Sequence, residues 1–163
     1  RLYPQATFAT IRGNVQTRLR RLDEGEFSAT LLAAAGLKRL GLTHRISRYF
    51  SEEEMIPAAG QGILAVQGRA GEDTGFLADF NDPVAEACAY AERSFVRHLD
   101  GGCSDPIAAH AIPDVGHGTL RLLGFFHDEK SGSTFREEAT GSIKQAEALG
   151  SAVAGRILAA CRG

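Results

Sequence analysis

The sequence predicts an α/β segment followed by a compact α+β domain. Two observations carry that prediction. Residues 7–35 read as strand, helix, strand, the pattern of a βαβ unit. From Asp82 onward a helix, three strand-like runs and a closing helix follow one another, which is an α+β order. At about 150 residues per domain, the 163 residues correspond to roughly one domain. With 44% hydrophobic and 23% charged residues the chain has an ordinary globular composition, and wholesale disorder is excluded.

Each element has a local reason. Thr7–Ile11 is a β-prone run that ends at Arg12-Gly13-Asn14, a turn whose Asn suits a helix cap. Val15, Leu19 and Leu22 then recur at helical spacing until Asp23-Glu24-Gly25. Phe27–Ala35 is a largely apolar run of the kind found in strands buried on both faces. Gly36–Leu40 predicts a short helix, and Gly41–Glu54 a helical or irregular connection. Pro57–Gly62 is a small-residue loop, Ile63–Val66 a short strand and Gly68–Thr74 a polar loop. Asp82-Pro83 is a strong helix start, opening an amphipathic helix to about Leu99. Asp100–Pro106 cannot be regular structure and puts Cys103 on a Gly-rich loop. Strands are expected at Ile107–Ile112, Leu120–Phe126 and Thr134–Thr140, with turns at Gly116–Gly118 and Ser131–Ser133. A helix over Gln145–Cys161 closes the domain.

The charge balance narrows the function. A net charge of −2 leaves no bulk electrostatic footprint for nucleic acid or an anionic membrane. The longest apolar run, Leu31–Ala35, is far below the roughly 18 residues of a membrane span, and no signal peptide is visible. Three widely spaced cysteines without a CxxC pair argue against a zinc site or a disulfide framework, so a reducing, cytoplasmic setting fits. The basic residues comprise 15 Arg and only 3 Lys. Arg is suited to bidentate recognition of carboxylate and phosphate, so an anionic ligand is one explanation and coding bias the other. The chain opens on Arg1 inside apparent structure, which suggests a fragment.

Three constellations could carry chemistry. Arg12–Arg18 opens a helix after a strand, where free N–H groups attract anions, and Arg39 follows another strand end. Solvated arginines are the plainer reading of that spacing. The thiol of Cys103 could act as a nucleophile or as an attachment point for a prosthetic group, or be a small residue chosen for packing. Gly60-Gln61-Gly62 precedes a strand rather than following one, so it is a tight connection or hinge and no dinucleotide fingerprint. Cys88 and Cys161 fall inside helical patterns and read as core. The histidines, 44, 98, 110, 117 and 127, show no ligand spacing, and Glu52–Glu54 reads as a solvated face.

Several runs together match one family. Arg12-Gly13-Asn14-Val15-Gln16-Thr17-Arg18-Leu19, Ala33–Leu40, Pro57–Gly62, Ala91-Glu92-Arg93 and Gly101–Ala108 resemble porphobilinogen deaminase, also called hydroxymethylbilane synthase, in order and near its spacing. The resemblance covers nearly all of the chain from Thr7. It implies a transferase of tetrapyrrole (heme) biosynthesis with two periplasmic-binding-protein-like α/β domains and a third, α+β domain. A dipyrromethane cofactor would be held by Cys103 through a thioether. Four porphobilinogen units would be added head to tail with release of ammonia, and hydrolysis would free hydroxymethylbilane. Arg12, Arg18 and Arg39 would pair with acetate and propionate groups of cofactor and elongating polypyrrole, Gly36 would lie against the cofactor, and Gln61 would sit in a crossover.

The resemblance also implies an absence. The family's catalytic aspartate belongs to a half upstream of Thr7, so no residue here matches it, and Asp105 does not take its place. On this reading residues 1–58 are the later half of the second domain, 59–81 the return segment of the first, and 82–163 the C-terminal cofactor-carrying domain. The chain alone would be inactive without an N-terminal polypeptide. A non-catalytic anion-binding fragment and a generic periplasmic-binding-type ligand module stay open beside it.

Overall fold

Asp82 starts the best-defined part of the chain. Its carboxylate accepts from the N–H groups of Val84 (2.9 Å) and Ala85 (3.2 Å), and Pro83 fills the first helical position, where no N–H is needed. In this computed structural model, which describes residues 2–101 and 106–162, the cap opens a helix over Pro83–His98. In chain order the helices are α1 (Val15–Asp23), α2 (Ala34–Arg39), α3 (Pro83–His98) and α4 (Ala146–Arg162). The strands are β1 (Ile107–Asp114), β2 (Thr119–Asp128) and β3 (Ser133–Ser142). Short 3-10 turns lie at Thr43–Arg45, Gly75–Phe80 and Ile143–Gln145. The chain divides into two compact units, Arg1–Tyr49 and Phe50–Gly163.

In the second unit the three strands form an antiparallel sheet in the order β1-β2-β3, with Ala111 opposite Leu122 and Leu122 opposite Ala139. Period-two alternation gives each strand an inner face. Ala109, Ala111, Leu120 and Leu122 turn that face toward α3 and α4, and pack with Phe95, Val153 and Ile157 in one buried cluster. Phe126 and Phe135 extend it with stacked rings 6.4 Å apart. Full burial of a Leu, Ile or Phe side chain contributes roughly 1.5–3 kcal/mol, so this cluster holds the unit together. The expected α+β arrangement is present, and each element runs within a few residues of its expected limits.

Two glycines let the layers approach. A Cβ on Gly124 would lie 2.5 Å from a Phe95 ring carbon, and one on Gly150 would lie 2.3 Å from the carbonyl oxygen of Ala91. The first glycine lets α3 lie on the sheet and the second lets α4 lie on α3.

Outside this core the expected strands are missing. Thr7–Ile11, Phe27–Ala33 and Ile63–Val66 form no ladder with described residues, and Ala34 and Ala35 belong to α2 rather than to a strand. Apolar, β-branched composition favours extended backbone, but a strand also needs a neighbour for its N–H and C=O groups. Leu64 (90% exposed) and Val66 (69%) show that the 63–66 run has no covering layer among the described residues.

The packing at Gly150 makes a signed prediction. Gly→Ala within a helix ordinarily adds about 1 kcal/mol, whereas overpacking costs about 1–3 kcal/mol. Because the atoms around Gly150 are largely backbone and cannot rotate away, Gly150→Ala is expected to lose about 1–2 kcal/mol net in denaturant titration. Gly155→Ala, with nothing within 4 Å of its added carbon, is expected to gain up to about 1 kcal/mol.

Candidate functional site

The candidate anion site in the first unit is built at the start of α1. Gly13 has φ +117°, where a side chain is strained, and an added Cβ would sit 2.9 Å from Cγ2 of Thr17. The turn at Gly13 presents Asn14, whose side chain accepts from the Thr17 N–H (2.8 Å) and from the Thr17 hydroxyl (3.0 Å). Arg18 is half-buried, and its Nε donates to the Gly13 carbonyl at 2.8 Å. That bond folds the guanidinium back to the mouth of the helix and leaves both Nη groups to other partners. The structure therefore brings Arg18 back to the turn that carries Arg12.

The other residues in question lie on α2. Gly36 faces α1, with an added Cβ 3.9 Å from Val15 Cγ2, so packing alone leaves room for a methyl group. Arg39 is the last residue of α2 and is exposed.

Ion pairing separates the arginines of this unit. Arg20 pairs with Glu24 at 2.8 Å, Arg21 with Glu26, and Arg45 with Asp23. The hydrogen bond between Arg21 and Glu26 raises the first group's pKa and lowers the second's. Arg12, Arg18 and Arg39 have no carboxylate partner among the described residues.

In the second unit the approach to Cys103 is described, while Cys103 itself lies outside the described residues. Helix α3 ends in a Schellman motif. Asp100, with φ +56°, donates its N–H to the Arg97 carbonyl (3.1 Å), and Gly101 donates to the Val96 carbonyl (3.1 Å). The motif stops the helix at the last described residues before Cys103. Burial pushes the thiols of Cys88 and Cys161 up, so neither is primed as a nucleophile. Cys88 is buried in the core as expected; Cys161 packs against it only partly buried.

Gln61 is exposed and closes a turn by donating its N–H to the Ala58 carbonyl (3.0 Å). Glu53 is held rather than freely solvated: Arg121 donates to its carboxylate (2.9 Å) and Arg136 to its carbonyl (2.6 Å). An open groove of about 410 Å³ between α3 and α4 is lined by Ser94, Arg97, His98, Glu147, Ala148 and Ser151. Its polar groups largely satisfy one another, Ser94 with Glu147 and Ser151, and Arg97 with Glu147.

Sequence reasoning passed over one residue. Glu92 is 3% exposed, and its carboxylate accepts from the N–H of Gly60 (2.6 Å) and of Ala111 (2.8 Å). A signal existed: Glu92 falls in the inward stripe formed by Cys88, Ala91 and Phe95, where a charge requires partners.

The comparisons with known proteins agree with one another. Residues 1–76 match the family model "Porphobilinogen deaminase, dipyromethane cofactor binding domain", and residues 86–159 match "Porphobilinogen deaminase, C-terminal domain". The porphobilinogen deaminase of Ruminiclostridium cellulolyticum is 55% identical over 136 residues, which is 83% of this chain and 46% of the relative. That of Alkaliphilus oremlandii is 52% identical over 130 residues, 80% of this chain and 43% of the relative. That of Thiobacillus denitrificans is 54% identical over 125 residues, 76% and 40% respectively. The chain thus spans a little under half the length of these relatives.

The Schellman cap is open to test. A non-glycine residue in the left-handed region carries a conformational cost of roughly 1–2 kcal/mol, less for Asp. Asp100→Gly is therefore expected to stabilise the chain by about 0.5–1 kcal/mol in denaturant titration.

Proposed function

Because the chain belongs to the porphobilinogen deaminase family, we propose that it is part of an enzyme that condenses four porphobilinogen molecules head to tail into hydroxymethylbilane, releasing ammonia at each addition. The observation that carries this reading is the succession of both family domains along the chain, the cofactor-binding one first. When bound, the dipyrromethane cofactor supplies an electron-rich pyrrole terminus as primer for the growing chain.

The roles of this chain's residues follow from their chemistry. Cys103 holds the cofactor through a thioether, a bond that survives repeated turnover. Arg12, Arg18 and Arg39 bind carboxylates. Each porphobilinogen brings an acetate and a propionate, so an elongating product needs several guanidinium forks. That reading is supported by the absence of a carboxylate partner for these three arginines among the described residues. Gly36, which carries no side chain, would leave room for the cofactor beside α2.

We place the acid–base carboxylate for the pyrrole nitrogens and departing ammonia outside these 163 residues, and expect no turnover from the chain alone. In the same reading residues 1–58 complete a second α/β domain, 59–81 return to a first, and 82–163 form the cofactor-carrying domain. The exposed apolar side chains of Phe8, Leu31, Leu64, Phe76 and Phe80 support it, since each would gain cover from further layers. No described helix is long and apolar enough to cross a membrane, and a cytoplasmic setting is proposed with the pathway.

Two measurements decide the matter in the complete polypeptide. Intact mass is expected to show a covalent dipyrromethane that Cys103→Ser abolishes; an unmodified wild-type protein overturns the reading in favour of a ligand module with a structural cysteine. Loss of a charge-assisted hydrogen bond costs about 1.5–3 kcal/mol. Arg12→Gln and Arg39→Gln are therefore expected to lower kcat/KM for porphobilinogen roughly ten- to 150-fold. Arg20→Gln, whose charge is paired with Glu24, is expected to leave it within about twofold.

A further inference from the structure

We infer that Glu92 is a clasp that makes the crossover segment 53–60 a fixed part of the C-terminal unit. The clasp joins three pieces of chain: α3, which carries Glu92, the edge strand β1, and the loop at Gly60. One carboxylate oxygen accepts from Gly60 N–H at 2.6 Å and the other from Ala111 N–H at 2.8 Å. Beside them the Ala109 N–H donates to the Pro57 carbonyl at 3.2 Å. The free edge of β1 is thus occupied by the crossover rather than by another strand.

The choice of a carboxylate identifies the purpose. For stability alone, an apolar side chain of similar size would do as well, because a buried charge must recover its hydration. Glu92 recovers it from two backbone N–H groups, and the ionisable group in ion-pair range among the described residues is His110, with Nδ1 at 3.4 Å. Both donors are met in one register of the loop against β1, so the carboxylate selects that register. The segment is fastened a second time at Glu53, which receives bonds from Arg121 and Arg136 on the outer face of the sheet. Two fastenings on different faces leave no play between residues 53 and 60.

Beyond Gly60 the turn closes with one further backbone bond, from the Ile63 N–H to the Gly60 carbonyl at 3.1 Å. Gly62 has φ +88° with nothing within 4 Å of an added Cβ, and Leu64 and Val66 stand exposed. The clasp thus holds the chain up to this turn and does not reach the exposed residues beyond it. This goes beyond the catalytic reading and does not depend on it, because it is tested without substrate.

The test is amide hydrogen exchange on the full chain. Glu92→Gln keeps the shape but offers one acceptor and turns an NH2 group toward the other donor. Exchange in residues 57–61 and at Ala111 is expected to accelerate at least tenfold, with residues 149–157 of α4 unchanged. Unchanged exchange at 57–61 overturns the clasp, and so does an equal loss of protection in α4, which would make Glu92 an ordinary core residue. The wild-type chain provides the control should the variant not fold. Its Gly60 and Ala111 amides are expected to share one opening rate, at least tenfold slower than those of 64–66; Gly60 exchanging with 64–66 overturns the proposal.

Discussion

A charge removed from water must find donors in the protein, and the second unit is arranged around one such demand. Glu92 enters the interior on the same helical stripe as Cys88, Ala91 and Phe95. Left unpaired, a buried carboxylate would cost more than the burial of its neighbours contributes. The donors it finds are backbone groups of a loop and of an edge strand. The hydrophobic cluster fixes which faces meet, and the carboxylate fixes how far the crossover slides along β1. Without that second condition the edge of β1 would be an open pairing surface.

The first unit depends on charge in another way. Arg20, Arg21 and Arg45 are neutralised by acidic side chains nearby, whereas Arg12, Arg18 and Arg39 have no carboxylate partner among the described residues. Only Arg20–Glu24, an i,i+4 pair, could be read from spacing. Arg45–Asp23 joins residues 22 apart, and no local rule finds it. The motif had named the three uncommitted arginines, but their lack of carboxylate partners became visible only when the other acids were placed.

The same division separates what was legible in the sequence from what was not. Helices α3 and α4 and the three strands were legible because each has a period, a stop and a cap within its own residues; Asp82-Pro83 is the clearest case. The strand readings of Thr7–Ile11, Phe27–Ala35 and Ile63–Val66 failed because a ladder is a relation between segments. Apolar composition says that a segment suits a sheet and not that a sheet is present. The Glu92 bonds were out of reach for the same reason, since they tie residues 60, 92 and 111. The end of α3 was half legible: Gly101-Gly102 announced a break, but among the described residues there the left-handed one is Asp100.

The excess of Arg over Lys acquires a geometric meaning from individual side chains. Arg18 donates from Nε to the Gly13 carbonyl and still presents two Nη groups. Arg121 reaches Glu53 with one Nη and Glu138 with the other, 2.9 Å and 3.3 Å away. Arg136 holds a backbone carbonyl of the crossover. An ammonium could make one such contact, but its donors diverge from a single atom at the end of a flexible stem, whereas the guanidinium is planar and can be anchored by one nitrogen while the others are aimed elsewhere. At Arg121 that property joins the crossover to the sheet. At Arg18 it holds a positive charge at the mouth of a helix, with no carboxylate partner among the described residues.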